Sequence, residues 1–478
     1  MAKKQSAKHP QHQSFDILEL PSVLVAETDE KAIPLHFIKA SHYAKWIAGR
    51  AETLRNTLAA QGWTGATGST AFTYDKNGKI NAVYIGASDK VGLYTVCALV
   101  DKVTDGLFEI TPTHLDKDEL ESICTGWLLA CYRFSAFKSA RKDFPKLIAP
   151  EKADATRINA YAHAIYLVRN LINLPPNALG PEALANAALT VAKNFSAKSR
   201  IIEDQDLLTE NFPLIYGVGD GSERRPRLID FTWGNAKHPK ITLVGKGVCF
   251  DTGGYDLKPS AAMLLMKKDM GGAAMALGVA LMVMELELPV RLRVLIPAVE
   301  NSVSGRAYRP SDILNSRKGL TVEIGNTDAE GRLVVADCLT LACEENPDLL
   351  IDFTTLTGAA RTALGFEIPA LYSNNDKIAQ DLQKIGIAID DPLWHMPLWQ
   401  GYKNDVTSPN ADLSNSGNNP AGSITAALFL EHFVTPDTPW VHLDHYAWEA
   451  SGKPGRPKGG TDTGLRAIFA YLENQYGK

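Results

Sequence analysis

The apolar and polar positions of the chain change period repeatedly, which predicts a succession of strands and helices. From about residue 176 onward, short runs rich in valine, isoleucine and leucine alternate with longer runs of helical spacing. The strand-like runs are PRLIDFTW, KITLVGKGV, VRLRVLIPAV and DLLIDFTTL, and the helix-like runs are PEALANAALTVAKNF, GGAAMALGVALMVMEL and GRLVVADCLTLACEEN. Strand and helix in alternation predict an α/β domain whose mostly parallel central sheet is flanked by helices on both faces.

The first part of the chain, 1–150, predicts a smaller α/β domain with shorter elements. SVLVAE is typical of a strand, and two alternating runs flank Asn77 and Gly78, a dipeptide that favours a tight β-hairpin. LYTVCALVDKV and SICTGWLLACYRF have helical spacing. A linker helix is predicted over 151–175, because the helical pattern there ends at two prolines, which cannot continue a helix. The larger domain then spans 176–478.

Composition and charge narrow the class of protein. Apolar residues make up 45% of the chain and charged residues 22%, as in ordinary globular proteins. A length of 478 residues exceeds the usual size of one hydrophobic core, so we expect more than one domain. The net charge of -5 gives no overall attraction to nucleic acid or to anionic membranes. The longest apolar runs fall short of the ~20 residues that span a bilayer, so no membrane association is expected.

Cysteine usage and the start of the chain both indicate a cytoplasmic protein. The six cysteines are dispersed, form no CxxC pair and lie in apolar segments, which favours buried thiols in a reducing compartment over disulfides. Only the start of the chain is basic, with Lys3, Lys4 and Lys8, and it lacks the apolar stretch of a secretory signal. We therefore expect a frayed basic tail there rather than an export signal.

Candidate chemistry lies in two loops that follow predicted strands. In open α/β sheets, ligands bind where the chain leaves the carboxyl ends of the strands. The first loop, GKGVCFDTGGYDLKPS, begins after the apolar run 241–244 and carries Lys246, Asp251 and Lys258 among several glycines. Glycine permits backbone angles and close approaches that a side chain would block, as a ligand-wrapping loop requires. Asp269 follows in MKKDMGGAAMALG, just before a predicted helix.

The second loop, NTDAEGRLVVADC, adds two more carboxylates and a guanidinium. If the chain stays extended through it, Asp328, Glu330 and Arg332 share one face, because side chains alternate along a strand. Carboxylates held together are costly unless cations neutralise them, so this cluster predicts a bound divalent metal. Oxygen ligands suit Mg²⁺ or Mn²⁺, and zinc also accepts carboxylates, so the residues leave the metal open.

Five segments occur in this order along the chain: GKGVCFDTGGYDLKPS, KKDMGGAA, ENSVSGRAYRPSDIL, NTDAEGRL and TTLTGAA. Together they resemble the leucine aminopeptidase family, the M17 or cytosol aminopeptidases. The resemblance runs from about residue 165 to the C-terminus, while the first third of the chain resembles the family only in length and α/β character. By motif position, the resemblance assigns the metal ligands to Lys246, Asp251, Asp269, Asp328 and Glu330, and the catalytic roles to Lys258 and Arg332.

The resemblance implies a metalloexopeptidase of the leucyl aminopeptidase type that removes the first residue of peptides. Two divalent ions, zinc or manganese with magnesium also admitted, would activate a water for attack on the scissile carbonyl. Lys246 would bind as an uncharged amine, Lys258 would stabilise the oxyanion, and Arg332 would hold a bicarbonate that shuttles the proton. The family further implies a homohexamer.

The resemblance implies five positions for the pocket that receives the first side chain of the substrate. Near the last of these positions the sequence departs from the family. The positions are Met266, Thr355, Leu356, Gly358 and Tyr446. Where the family usually has a small Ala-Gly pair after HLDI, this chain has HLDHYAWE and places His445 and Tyr446 there. We expect a preference for apolar, leucine-like first residues in a pocket that is narrower or more polar than usual.

Ordinary structural explanations compete for several of these residues. Helix capping is a common role for an aspartate before an apolar helix and is the alternative for Asp269. A solvated loop residue is the alternative for Lys258. Cys249 has no histidine nearby in the sequence to make it a nucleophile, which favours a packed thiol. His442 lies in a predicted strand and is expected to be structural, with His445 at most a pocket wall.

Two functions of other classes are the alternatives to an aminopeptidase. One is a nucleic-acid-binding or regulatory scaffold that uses the basic tail as an arm, and the acidic loops argue against it as the principal role. The other is a two-metal phosphoesterase, because similar ion pairs serve phosphoryl transfer.

Overall fold

The computed structural model describes residues 16–111, 114–139 and 143–477. The basic tail predicted at the start of the chain lies outside them. Within the described ranges, a six-stranded and a nine-stranded sheet organise the chain. No helix in those ranges combines the length and the apolar character that crossing a membrane requires.

The N-terminal part is built on the six-stranded sheet. Its strands are β1 (Leu24–Val25), β2 (Ile33–Lys39), β3 (Thr70–Tyr74), β4 (Ile80–Ala87), β5 (Leu107–Ile110) and β6 (Lys146–Ile148). Its helices are α1 (Tyr43–Ala48), α2 (Glu52–Ala60), α3 (Cys97–Val100) and α4 (Lys117–Ala130). The strand order is β1-β6-β5-β2-β4-β3, with β3 antiparallel to β4 and the other pairs parallel.

The predicted hairpin is confirmed by β3 and β4. The two strands pair antiparallel, and Gly78 between them has a φ of 77°, a backbone angle that favours glycine. The helix predicted over LYTVCALVDKV is shorter than expected, since only α3 forms there. Three of the four residues of α3 are buried, so the apolar spacing reflects packing in the core rather than the length of a helix.

A long helix, α5 (Ala155–Asn173), joins the two parts, and the helix predicted from the sequence is confirmed. The Asp154 carboxylate accepts hydrogen bonds from the backbone N–H groups of Thr156 and Arg157 and caps the helix start. The helix ends directly before Pro175, because the residue that precedes a proline disfavours the helical conformation. Most of α5 is buried, so it belongs to the core.

The C-terminal part is built on the nine-stranded sheet with smaller additions. Its strands are β7 (Lys198–Glu203), β8 (Arg227–Trp233), β9 (Lys240–Gly245), β10 (Gly247–Asp251), β11 (Arg291–Asn301), β12 (Ile313–Asn315), β13 (Thr321–Glu323), β14 (Leu349–Thr354), β15 (Ala370–Ser373), β16 (Trp394–His395), β17 (Leu413–Ser414), β18 (Trp440–Asp444), β19 (Trp448–Glu449) and β20 (Gly459–Gly460). Its helices are α6 (Pro181–Asn194), α7 (Asp206–Thr209), α8 (Pro213–Gly219), α9 (Ser260–Met263), α10 (Gly271–Glu285), α11 (Glu330–Cys343), α12 (Gly358–Leu364), α13 (Asp376–Ala388), α14 (Gly422–Glu431) and α15 (Leu465–Tyr476). Short 3-10 helices span Ala40–His42, Met266–Met270 and Gln400–Val406.

The central strands of the large sheet run parallel, which confirms the predicted α/β fold. In the order β16-β15-β18-β14-β9-β11-β8-β7, the strands β18, β14, β9 and β11 are parallel neighbours. Strand β10 is a further parallel partner of β11. Towards the two sides, β15 pairs antiparallel with β18, and β8 pairs antiparallel with β11 and with β7. The sheet is therefore mixed towards its edges.

Two glycines let α10 begin close to the carboxyl ends of the central strands. A side chain at Gly272 would meet the carbonyl oxygen of Phe353 at 2.0 Å, and one at Gly245 would meet the backbone of Ala273 at 2.6 Å. The N–H of Ala273 donates a hydrogen bond of 2.8 Å to the carbonyl of Lys246. The start of α10 is thus held at the strand ends, where ligands bind in such sheets.

Asp337 on α11 caps a neighbouring helix from within the core. Its carboxylate accepts hydrogen bonds from the backbone N–H groups of Leu214 and Ile215 in the first turn of α8, and from that of Arg317. We expect Asp337→Ala to lower the free energy of unfolding by roughly 2 to 4 kcal/mol, because three backbone donors, two of them buried, lose their acceptor. A lower urea midpoint would measure the loss. The exposed Asp437→Ala is the control, and equal midpoints for the two variants would contradict the capping role.

Candidate metal centre and active site

Both candidate loops reach one cavity at the carboxyl ends of the central strands. Lys246 follows β9, and Asp251 is the last residue of β10. Asp269 lies in the 3-10 helix that precedes α10, and Glu330 is the first residue of α11. Asp328 lies in the turn just before that helix. All five residues line a cavity of about 450 Å³.

Three carboxylates meet in this cavity. Asp251, Asp328 and Glu330 each offer an oxygen, and these oxygens lie within 4.8 Å of one another. Oε2 of Glu330 is buried and has no hydrogen-bond partner among the described residues. Burial and the charge of Asp251 raise the pKa of Glu330 to about 8 and that of Asp328 to about 6. Such a cluster fits a divalent cation, which would neutralise the carboxylates and bind the unpartnered oxygen.

Lys246 and Asp269 form a second pair of candidate ligands beside the three carboxylates. Nζ of Lys246 lies 2.7 Å from Oδ2 of Asp269 and 2.9 Å from Oε1 of Glu330. Burial lowers the pKa of Lys246, but the charges of Asp269 and Glu330 outweigh it and raise the pKa above its ordinary value. The amine is therefore protonated in the metal-free chain. The family resemblance implies that Lys246 binds a metal, and the amine would have to release that proton to do so.

The ordinary explanations for Asp269 and Lys258 are wrong. Among the described residues, no side chain caps the start of α10, and the Asp269 carboxylate instead accepts a hydrogen bond of 2.7 Å from Oγ1 of Thr355. The Lys258 side chain is only 13% exposed, and its Nζ lies 2.7 Å from Oδ2 of Asp251. The same ammonium contacts Oδ1 of Asp328. Both residues belong to the charged cluster in the cavity.

The extended conformation expected for the second loop is wrong. Helix α11 begins at Glu330, and side chains two positions apart on a helix point about 200° apart. Arg332 therefore reaches the cavity from another side, where its Nη1 donates a hydrogen bond of 2.7 Å to the carbonyl of Asn415. Burial lowers the pKa of Arg332 to about 10. The charged side chains of Asp328, Glu330 and Arg332 converge as predicted, but they do so around the N-terminus of α11. The partial positive charge of a helix N-terminus stabilises the Glu330 carboxylate.

The five predicted pocket residues line the same cavity as the candidate metal ligands. Met266 begins the 3-10 helix, Thr355 and Leu356 follow β14, Gly358 begins α12, and Tyr446 follows β18. These elements are far apart in the sequence, and the sheet brings their ends together. Contact of these residues with the first side chain of a substrate stays a prediction.

The chain matches two models of one protein family over most of its length. Residues 166–469 match the catalytic domain of the cytosol aminopeptidase family, and residues 33–150 match the N-terminal domain of the M17 aminopeptidases. The chain belongs to the cytosol aminopeptidase family. It is a metal-dependent aminopeptidase, as the motifs in its loops predict.

Curated relatives and solved structures agree with this family. The probable cytosol aminopeptidase of Syntrophotalea carbinolica is 42% identical over 374 residues, which cover 74% of this chain and 75% of that protein. Its counterpart in Chlamydia abortus is 36% identical and covers 92% of this chain and 96% of that protein. The crystal structure of the cytosol aminopeptidase from Coxiella burnetii has a TM-score of 0.90 at 46% identity, covering 95% of this chain and 99% of that one. The structure of the bottromycin maturation enzyme BotP in complex with Mn has a TM-score of 0.83 at 28% identity, and the match covers 93% of this chain and 99% of that one.

Sequence analysis missed several polar residues that line the cavity of this aminopeptidase. Among them are Lys268, Asn326, Thr357, Arg361 and Thr425. Lys268 stands directly before a predicted ligand in MKKDM, so its proximity to the site had a signal in the sequence. Arg361 had none, because it reaches the cavity from α12, whose position depends on how the strands of the sheet pair.

His442 and Cys249 are structural residues, as the sequence predicts. Nδ1 of His442 lies 2.6 Å from Oδ1 of Asp352, and both side chains are fully buried. Burial raises the pKa of the Cys249 thiol well above its ordinary value, which argues against a nucleophile. All six cysteines lie among the described residues, are buried and form no disulfide.

Proposed function

We propose that this aminopeptidase removes the first residue of peptides with the help of two metal ions. The observation that carries the proposal is the meeting of five candidate ligands in one cavity. Asp251, Asp328 and Glu330 form one group, and Lys246 with Asp269 forms a second that also contacts Glu330. Two adjacent groups that share a carboxylate suit two neighbouring divalent ions.

The ions would be held by four carboxylates, of Asp251, Asp269, Asp328 and Glu330, and by the amine of Lys246. Bound there, the ions would polarise the scissile carbonyl and lower the pKa of the attacking water. The carboxylates are compatible with zinc, manganese or magnesium, and the nitrogen ligand favours zinc. The Mn bound to the related BotP supports manganese as a candidate.

We assign to Lys258 the stabilisation of the oxyanion that forms when the carbonyl is attacked. Its ammonium lines the cavity and lies between the carboxylates of Asp251 and Asp328. Burial lowers the pKa of Lys258, but the neighbouring carboxylates raise it overall, so the amine stays charged. A fixed cation in a site with little water lowers the energy of a developing negative charge.

We assign to Arg332 the binding of a bicarbonate that passes a proton to the leaving amine. Its guanidinium is buried and forms no ion pair among the described residues. Nη1 is bonded to the carbonyl of Asn415, whereas Nε has no partner in the described part of the chain. A buried guanidinium with an unused donor suits a small planar anion.

Arg332→Ala is expected to lower kcat roughly 100-fold, because general acid–base catalysis contributes about that much or more. Metal content should stay near that of the unmodified chain, since Arg332 is not a proposed ligand. Steady-state hydrolysis of a leucyl anilide with and without added bicarbonate measures the effect. Bicarbonate should stimulate the unmodified enzyme but not the variant. An unchanged kcat in Arg332→Ala would exclude Arg332 from proton transfer. The exposed Arg50→Ala serves as the control.

We infer that apolar, leucine-like first residues enter the pocket beside the metal centre. Met266 and Leu356 offer apolar surface to the cavity, and Gly358, which also lines it, adds no side chain. Peptides are the proposed substrates in the cytoplasm, and a homohexamer is the proposed assembly. Both of these rest on the family resemblance.

Hydrolysis of a leucyl anilide compared with phenyl phosphate tests the proposed function. The full chain is stripped with a chelator and reloaded with Zn²⁺, Mn²⁺ or Mg²⁺. We expect zinc or manganese to restore cleavage of the anilide and no ion to produce cleavage of the phosphate. Cleavage of the phosphate alone would establish the phosphoesterase alternative. Salt-dependent DNA binding without either activity would favour the scaffold.

A further inference from the structure

One wall of the cavity, next to Asp269, carries positive charge without an ion-pair partner. Lys268 is 5% exposed and lines the cavity, and its amine makes no hydrogen bond or ion pair among the described residues. Burial lowers the pKa of this amine to about 8, so it carries its positive charge below that pH. It lies 4.5 Å from the centre of the Tyr446 ring. The Arg361 guanidinium lies 5.4 Å from the same ring and also lines the cavity. We call Lys268, Arg361, His445 and Tyr446 the cationic wall.

His445 adds a second buried polar group that lacks a partner. It is 5% exposed and lines the cavity, and neither ring nitrogen makes a hydrogen bond in the described part of the chain. An imidazole carries at least one N–H donor in either protonation state. Buried donors are nearly always bonded in folded proteins, so a ligand group that accepts hydrogen bonds would suit this position.

The carboxylates of the cavity are committed elsewhere. Those of the candidate metal centre contact Lys246 and Lys258 in the metal-free chain and are the proposed ligands when ions are bound. The cationic wall therefore faces the substrate with two positive charges, the N–H donor of the His445 imidazole and the Tyr446 hydroxyl, and it contains no carboxylate. Met266 and Leu356 line the same cavity and offer apolar contact to the methylene groups of a substrate side chain.

We propose that the cationic wall binds the side-chain carboxylate of an N-terminal glutamate. The aminopeptidase then releases acidic first residues in addition to leucine-like ones. This inference rests on the proposed function, because the first side chain must lie beside the residues that hold the reacting centre. A glutamine has the same shape but no charge, and a first-residue lysine is repelled by Lys268 and Arg361.

Anilides of glutamate, glutamine and leucine test the proposal on the metal-loaded, full-length chain. The unmodified enzyme should favour glutamyl over glutaminyl substrate by roughly tenfold in kcat/KM, the difference between a charge-assisted and a neutral hydrogen bond. Lys268→Met together with Arg361→Met should bring this ratio close to one at pH 7, Lys268→Met alone should lower it, and Lys268→Arg should retain most of it. Lys267→Met is the matched control, because its ammonium instead donates to the carbonyl of Asn173 and does not line the cavity.

The leucyl substrate separates failure of this proposal from failure of the proposed function. If the enzyme cleaves the leucyl anilide but cleaves glutamyl and glutaminyl anilides at equal rates, only the binding of glutamate by the cationic wall is overturned. A full glutamyl preference that persists in the variant carrying both Lys268→Met and Arg361→Met would also overturn it. Loss of all three activities in the unmodified, metal-loaded enzyme would overturn the proposed function and this inference together. The ratio is independent of the amount of folded enzyme, so a variant of low stability still gives a decisive result.

Discussion

Lys258→Ala is expected to lower kcat for a leucyl anilide by roughly 100- to 1,000-fold, the usual effect of removing one oxyanion-stabilising group. Metal binding should be unchanged or tighter. The ammonium of Lys258 contacts the carboxylates of Asp251 and Asp328, so it competes with cations for them. Its removal leaves more negative charge for the ions to neutralise. Steady-state kinetics and elemental analysis of the same sample measure both effects.

The control for this variant is Lys237→Ala, which removes the charge of an exposed lysine outside the cavity. It should retain the kcat of the unmodified enzyme. A normal kcat in Lys258→Ala would exclude Lys258 from catalysis. A low kcat that comes with lost metal would instead make Lys258 a residue that supports metal binding, which is contrary to the proposal.

Metal affinity is expected to rise by roughly a thousandfold or more between pH 6 and pH 8. Burial and Asp251 raise the pKa of Glu330 to about 8 in the metal-free chain, so this carboxyl is protonated through most of that range. Lys246 also carries a proton there. Both groups must lose their protons to bind a cation, and each released proton strengthens binding about tenfold per pH unit below its pKa. Competition with a chelator of known affinity at several pH values measures the slope.

Glu330→Gln is the variant that isolates the carboxyl in this experiment. Glutamine keeps the shape of the side chain but carries no titrating proton, so binding should be weaker overall and the slope against pH should fall by one proton. Glu223→Gln is the matched control, because Glu223 is exposed and does not line the cavity. Equal affinities at pH 6 and pH 8 would contradict the proposed role of Glu330 and Lys246 as ligands.

Local patterns predicted most elements of the fold, and long-range pairing explains the exceptions. The hairpin around Gly78 and the capped helix α5 depend on turn chemistry and on residues within a few positions of each other. The antiparallel partners β8 and β15 could not be distinguished from parallel strands, because strand direction leaves no mark on the apolar pattern. The buried cap that Asp337 provides for α8 joins residues more than a hundred positions apart.

The sequence by itself determined the family, the α/β fold and the candidate residues of the metal centre, because short motifs hold these residues at characteristic spacings. The tertiary structure alone decided how Glu330 and Arg332 approach the cavity, since the helix that begins at Glu330 replaced the expected strand. It also brought Lys268, Arg361 and His445 from three separate elements to one wall. Spacing along a chain encodes which face of an element is buried, whereas the meeting of distant side chains depends on how the strands pair and where each helix begins.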